Sequence, residues 1–531
     1  MSNRNHNIYF HTHTISGIII CMVLYVIFFA GSFSFFKNEI SAWQQGESFE
    51  KHGEAGFPYA QVLDSLNNQY DLYGREIYLY LYPNSLNTYV YMAPSQDTVR
   101  NEQAGESTYF YYNLADKQGR SYSEAYDLGE FLYRLHFLAQ LNYVPISIGF
   151  PFGYLVAGLV SFLFLFALIT GLMLHWDKIV SNFYLFRPWA KVKTMWTDLH
   201  TVLGVIGFPY QLVYAVTGII LIVNAVYTTP ISRLLYEGNE DKIYEDLGFE
   251  VATEAVFLDN PVEEIPDIPQ LIDQTQQRWA GASLRRVTIK HYGDEGMEVI
   301  LQSDADSRRS FPGSGYVVYD VHGTVIKQKS PIGETTFVNV MKSLVYKLHY
   351  GDYGGLFLKI VYFTLGIMGC LIIASGMVIW LVARDKKHVP LHKRRFNFWL
   401  ANIFLAVCLS MFPVTGFTFI VVKMSQTVNE AFIYRLYFYS WLALSLYYIV
   451  RRNLNRTNRE SLLLGAVLAL LVPVSNGLYA GKWLWLTASA GEMDIFFLDL
   501  FWIVLATVAF ISYVSLRLVK LKNSQPHVVM D

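Results

Sequence analysis

The sequence predicts a mainly α-helical polytopic membrane protein, with eight transmembrane helices and two small α+β modules outside the bilayer. Three observations carry this reading. The 531-residue chain is 53% hydrophobic and only 16% charged, a balance found in membrane proteins rather than soluble enzymes. Eight apolar stretches approach the roughly 20 residues that a helix needs to cross about 30 Å of hydrocarbon. Two long intervening segments are polar, rich in Tyr, Asp and Glu, and alternate as strands do.

The apolar stretches lie at 15–36, 155–174, 203–226, 356–383, 398–421, 431–450, 462–478 and 495–518. The first lacks a small-residue cleavage site and runs into the aromatic FSFF, so it reads as a retained span rather than a signal peptide. Lys178, Arg187, Lys191 and Lys193, the basic run within 384–395, and Arg451, Arg452, Arg456 and Arg459 fall on one side. The short loops near Lys423 and Lys482 hold one cation each, so both termini are expected in the cytoplasm. The net charge of −2 comes with no basic stripe for nucleic acid; membrane lipid is the expected surrounding. Cys21, Cys370 and Cys408 all fall inside predicted spans, which leaves no Cys-ligated cluster and no CxxCH haem attachment.

The outer segments are 37–149 and 227–354. In the first, FPYAQVLDSLNNQY reads as a helix, REIYLYLYP and TYVYMAP as strands, and STYFYYNLADKQGR as a strand and turn. In the second, IPDIPQLIDQTQQRW reads as a helix, and LRRVTIKHY, MEVILQSD and GYVVYDVHGTVI as strands. The chain thus runs helix, outer module, helix, and repeats this order before a basic loop at 385–397, four further spans within 398–518 and a tail at 519–531.

The repeat extends to single residues. His13, Gly17 and the pair Ala30–Gly31 match His200, Gly204 and Thr217–Gly218. From each His to the second Gly is 18 residues, about five turns and ~27 Å, which places the two on one helix face at opposite sides of the membrane. YRLHFLAQ with His136 and YKLHYGDY with His349 precede the second and fourth spans, whose inner ends carry Thr170–Gly171 and Ser375–Gly376. Each repeat therefore supplies one histidine at the inner surface and one at the outer.

Neutral imidazole is a good iron ligand, and two imidazoles from neighbouring helices can hold a haem edge-on in a bundle. The repeat pairs His13 with His200 near the cytoplasmic face and His136 with His349 near the outer face, giving two b-type haems with bis-His iron. Gly31 and Gly218 are expected to clear space beside the outer macrocycle, and Gly171 and Gly376 beside the inner one. A single interfacial histidine is more often an anchor, and small residues in spans are more often packing contacts; four at matched repeat positions favour ligation. His175, four residues after Gly171, and His11 compete with His13 as inner ligand, although the repeat equivalent of His175 is Trp380. His52, His291, His322, His388 and His392 lie in polar segments and are expected to be solvated.

The abundant aromatic residues read mainly as lipid-facing or interfacial filler. Lys359 and Asp499 lie toward outer span ends, so the mid-depth ionisable residues of a proton-coupled transporter are missing. No GxGxxG follows a strand and no GxxxxGK[ST] occurs, so electrons are expected from a membrane quinol or an external flavoprotein. Two other readings stay open: a non-redox membrane regulator acting through its outer modules, and a permease with a continuous polar cavity.

The first span opening HxxxG, LHxL before a span ending TG, DLHTVLG at 198–204 and LHYGDYGG at 348–355 together resemble the PepSY-associated transmembrane family, iron-regulated inner-membrane proteins that include ferric-siderophore reductases. The resemblance covers roughly residues 8–384. It implies a bacterial inner-membrane protein with periplasmic PepSY modules and b-type haem, passing electrons outward to reduce a ferric siderophore and release Fe(II). It places the family's histidines on His13, His136, His200 and His349. The substrate is expected to dock between the modules above the outer haem. His175, where a Trp is expected, and the last four spans depart from the family pattern.

Overall fold

A computed structural model describes residues 2–53, 59–82, 84–97, 106–146, 150–279, 282–304, 313–333 and 335–522. The chain divides into two compact units, one of Met1–Gly46, Tyr126–Ile222 and Leu356–Asp531, the other of Glu47–Ala125 and Val223–Gly355.

Among the described residues, 7 helices are long and apolar enough to cross a membrane: Asn3–Ser34, Phe152–Tyr184, Lys193–Asn224, Gly355–Arg384, Leu391–Met424, Leu454–Ala480 and Met493–Arg517. The expected span at 431–450 forms the 22-residue helix Glu430–Arg451 but is not among them. Its tyrosines, with Arg435 and Arg451, make it less apolar than the rest, so eight spans is corrected to seven by length and apolarity.

Within the first unit, the Asn3–Ser34 helix packs along Phe152–His175 and against the short helix Leu128–His136. The C-terminal helices form a second group, with Leu391–Met424 against Glu430–Arg451 and Leu454–Ala480. An aromatic seam of Phe33, Phe36, Phe363, Phe501 and Trp502 joins the groups, with ring centres 4.8 Å apart for Phe363–Phe501 and 5.0 Å for Phe36–Phe501. The residues that follow the first span extend the junction: Trp43 Nε1 donates to Asp499 Oδ1 at 2.7 Å and Asn476 Nδ2 to Asp499 Oδ2 at 2.8 Å. The Lys423 ammonium donates to the Trp43 carbonyl. A buried carboxylate with both oxygens occupied is tolerable, whereas an unpaired one is not. Lys359 pairs with Glu39 at 2.6 Å, and all three cysteines are buried and free.

The second unit holds one antiparallel sheet made by both polar segments. The strands are β1 (Ile77–Tyr80), β2 (Asn87–Met92), β3 (Thr108–Asn113), β4 (Gly119–Arg120), β5 (Ser283–Lys290), β6 (Glu298–Asp304), β7 (Ser314–Tyr319) and β8 (Val325–Lys329). Their order is β4-β3-β2-β1-β5-β6-β7-β8. The segments expected as separate modules therefore join edge to edge, with Leu79 of β1 opposite Val287 of β5. Each hairpin set alone would leave a long strand edge exposed; pairing β1 with β5 removes one edge from each. The helices Tyr59–Gln69 and Ile268–Arg278 cover one face, burying Val62, Leu66, Ile272, Leu79, Val287 and Leu301.

Among the described residues, the other face is covered over its second half by the chain before Ile268–Arg278. Val251 packs on Ile300 and Val318. Glu250 receives the Arg286 guanidinium at 2.5 and 2.7 Å, and Thr253 accepts from Lys290 at 3.0 Å. The buried Asp294 carboxylate accepts from the Leu258, Asn260 and Gly296 amides at 2.9, 2.8 and 2.8 Å. His291, expected to be solvated, is buried at 3% exposure, with its ring against Phe257. It turns inward because the connection between β5 and β6 folds under this strap.

Candidate functional site

Three of the four predicted ligand histidines belong to the first unit, and all three are held in the same way. His13 Nδ1 donates to the Ala167 carbonyl at 2.9 Å, His200 Nδ1 to the Ile372 carbonyl at 2.9 Å, and His136 Nδ1 to the Ile27 carbonyl at 2.9 Å. A carbonyl can only accept, so Nδ1 carries the proton and Nε2 keeps its lone pair. This is the second-shell arrangement that fixes the tautomer and orientation of a metal-bound histidine.

The glycines explain how a ring gains that contact. Ala167, Ile372 and Ile27 each lie four residues before a glycine of the repeat, Gly171, Gly376 and Gly31. A Cβ on Gly171 would sit 3.0 Å from His13 Cε1, and one on Gly376 would sit 3.2 Å from His200 Cε1. A Cβ on Gly31 would overlap the His136 ring. The glycines thus make room for the imidazoles. Gly218 departs from the pattern and faces Ser161, whose Oγ lies 3.5 Å from its Cβ direction.

The hydroxyls preceding two of these glycines fold back onto the same carbonyls. Thr170 Oγ1 donates to Ala167 at 3.1 Å and Ser375 Oγ to Ile372 at 2.8 Å; Ser375 Oγ also lies 3.2 Å from His200 Nδ1. The TG and SG pairs were visible in the sequence, but their target carbonyls carry no side-chain signal.

The His13 and His200 rings lie with centres 6.2 Å apart and planes at 74°. His13 and His200 each present an unprotonated Nε2 on neighbouring rings, and these two residues would hold a haem iron. His175 lacks the carbonyl lock; its Nδ1 lies 3.1 Å from Asn182 Nδ2. His11 is exposed and stands edge-on to Phe10. Asp198, two residues before His200, is gripped by Arg187 at 2.8 and 3.0 Å, which fixes the start of that helix.

His136 is the last residue of its helix, whose N-terminus is capped by Asp127 accepting from Glu130 N at 2.8 Å. Burial holds its pKa below the ordinary imidazole value, against the opposing effect of the Ile27 bond, so the ring is neutral and able to ligate. Glu130 anchors this helix through ion pairs to Lys37 and, at 2.7 Å, to Arg134. His349 belongs to the second unit, in the last turn of Phe337–Tyr350, a helix capped by Thr336 and closed by Gly351 at φ +63°. Its ring stands edge-on to Tyr350 at 5.9 Å.

These features define a multi-pass membrane protein with carbonyl-locked histidines on its helices. The profile of the PepSY-associated TM region matches residues 10–383, and the chain belongs to that family. An uncharacterized protein of Pseudomonas aeruginosa is 24% identical over 255 residues, which is 45% of this chain and 61% of the relative. The match thus spans about three fifths of the relative's length, and the relative's name states no activity.

Proposed function

We propose that this protein is a haem-containing electron conduit of the bacterial inner membrane that reduces ferric siderophore iron in the periplasm. The carrying observation is the His13–His200 pair, with both Nδ1 atoms tied to backbone carbonyls and ring centres 6.2 Å apart. The repeat assigns His136 and His349 to a second haem, and the loop cations favour cytoplasmic termini.

A haem held by these imidazoles would supply one-electron Fe(III)/Fe(II) chemistry. The chain's own contribution is orientation and exclusion of water. The Nδ1–H bonds keep each Nε2 unprotonated, and the surrounding apolar helices keep competing ligands away. The substrate iron gains one electron and becomes Fe(II), which hard oxygen donors hold more weakly, so the chelator takes up protons and lets it go. The electron comes from a membrane quinol or an external flavoprotein.

The test is an absorbance spectrum of detergent-purified protein, oxidised and then dithionite-reduced, with a pyridine haemochrome count. Six-coordinate b-type bands at about two haems per chain support the reading. A chain free of haem after expression with ample iron and haem precursor sinks it, and leaves a non-redox regulator as the better account.

A further inference from the structure

The sheet face opposite the two helices is finished differently in its two halves. Over β5–β7 it is covered by the strap that carries Glu250, Val251 and Thr253. Over β1–β3 it presents Tyr78, Tyr80, Tyr89, Tyr91, Tyr109 and Tyr111. The two-residue period of a strand puts all six on one face. The register sets Tyr78 opposite Tyr91, Tyr80 opposite Tyr89, Tyr89 opposite Tyr111 and Tyr91 opposite Tyr109. Ring centres lie 5.4 Å apart for Tyr80–Tyr89, 5.6 Å for Tyr89–Tyr111 and 5.7 Å for Tyr78–Tyr91. Tyr109 is 53% exposed.

Cross-strand aromatic pairs stabilise sheets by themselves, but phenylalanine or a β-branched residue would do as well. The reverse faces of β1 and β2 use Ile77, Leu79, Val90 and Met92 for that purpose. The phenols add hydroxyls to an aromatic floor, with that of Tyr78 held by Glu76, and rings with hydroxyls combine large contact area with adaptable hydrogen bonding. Burial pushes the Tyr89 phenol up to about 12, and that of Tyr80 also lies above its ordinary value, so both stay protonated and can donate. The charges bordering the patch are balanced within the protein. Arg286, stacked over the Tyr80 ring at 5.7 Å, is held by Glu250; Glu76 accepts from Tyr78 at 2.7 Å; and Arg120 pairs with Asp116.

We propose that the tyrosine face of β1–β3 is the docking platform for the iron chelate, and that it selects chelates of low net charge with oxygen atoms and apolar spacers on their surface. Phenol donors meet the chelate's oxygens, and ring faces meet its methylene groups. A highly anionic chelate finds bordering cations already paired and gains little there. This inference rests on the proposed reductase function for the identity of its ligand.

The test uses gallium(III), a redox-inert stand-in for Fe(III), bound by a linear trihydroxamate and titrated into the full chain in detergent. The wild-type chain is expected to bind saturably, and Tyr89→Ala with Tyr109→Ala to weaken binding by about tenfold or more. Tyr89→Phe with Tyr109→Phe, which keeps the rings, is expected to weaken it severalfold, and decides the matter if the alanine variant does not fold. Absence of binding to the wild-type chain, or unchanged affinity in the folded variants, overturns the platform. Equal or tighter binding of a highly anionic gallium tris-catecholate overturns the selectivity. The two proposals separate cleanly: His13→Ala is expected to leave gallium binding unchanged while stopping ferric reduction, and tyrosine-dependent binding to a chain that never carries haem keeps the platform and removes the reductase.

Discussion

His200 Nδ1 donates to the Ile372 carbonyl at 2.9 Å, one helical turn before Gly376. A carbonyl inside a helix has a second lone pair, but a Cβ one turn later normally shields it. Gly376 removes that shield, and the same device recurs at Gly171 for His13 and at Gly31 for His136. Three uses of one local geometry point to imidazole orientation as its purpose, since helix packing alone does not need a matching histidine.

On the proposed haem reading, the glycine positions should control haem content through the imidazoles they seat. Gly171→Val or Gly376→Val pushes a side chain into an imidazole and is expected to lower haem affinity about 10–100-fold, as loss of second-shell support does. Gly218→Ala, with only an ordinary contact to Ser161, should load as wild type. The haemochrome count of the purified variants reads both outcomes; full loading of the two valine variants would refute the cradle.

On the proposed haem reading, replacement of His13 or His200 by Ala should each remove the same haem, because the two rings are direct neighbours. His175→Ala should retain it, since His175 is turned to Asn182. Haem per chain falling from about two to about one in the first pair, with no change in the third, is the expected pattern. Loss of a haem from the His175 variant would return that residue to the ligand set.

The histidines and glycines that meet in the structure were legible because the repeat leaves a countable spacing: His to Gly in 18 residues, twice. It did not reveal what the glycine touches, since the partner is a backbone carbonyl on another helix and every residue has one. The strands were legible from their period-two alternation: REIYLYLYP contains β1, TYVYMAP overlaps β2, and GYVVYDVHGTVI runs through β7 into β8. Their union through Leu79 and Val287 was not, because edge pairing between segments about 200 residues apart leaves no local pattern. The tyrosines show the same limit. Composition read them as interfacial filler, and only the register gathers six of them on one sheet face.

Asp294 should hold the strap of the second unit in place. Burial works to raise its pKa, but three backbone amides and the Tyr73 hydroxyl outweigh it and hold the carboxyl below its ordinary value. Asp294→Ala leaves the Leu258, Asn260 and Gly296 amides without their acceptor, at about 1–3 kcal/mol for each group left buried and unpaired. Amide exchange across 256–260 is expected to accelerate strongly in this variant while the core strands β1 and β5 stay protected. Unchanged exchange in the strap would show that its apolar contacts suffice.

Glu130 gives the clearest pH dependence outside the spans. Its carboxyl is buried, which alone would raise the pKa, but Lys37 and Arg134 outweigh burial and hold it at about 2. A carboxyl depressed in the folded state contributes stability above its unfolded value, and loses that contribution as pH falls through the folded value. The window therefore runs from about 4.5 down to about 2, and a shift of this size corresponds to roughly 3 kcal/mol at neutral pH. Glu130→Gln should lower the melting temperature of the detergent-solubilised protein near pH 7 and flatten its fall between pH 4.5 and 2. His136 ends the same helix, so the variant should also loosen His136, which we propose as a haem ligand. Thermal melts over pH with the haem band as a second readout test both effects, and a wild-type acid profile in Glu130→Gln would assign the fall to other carboxylates.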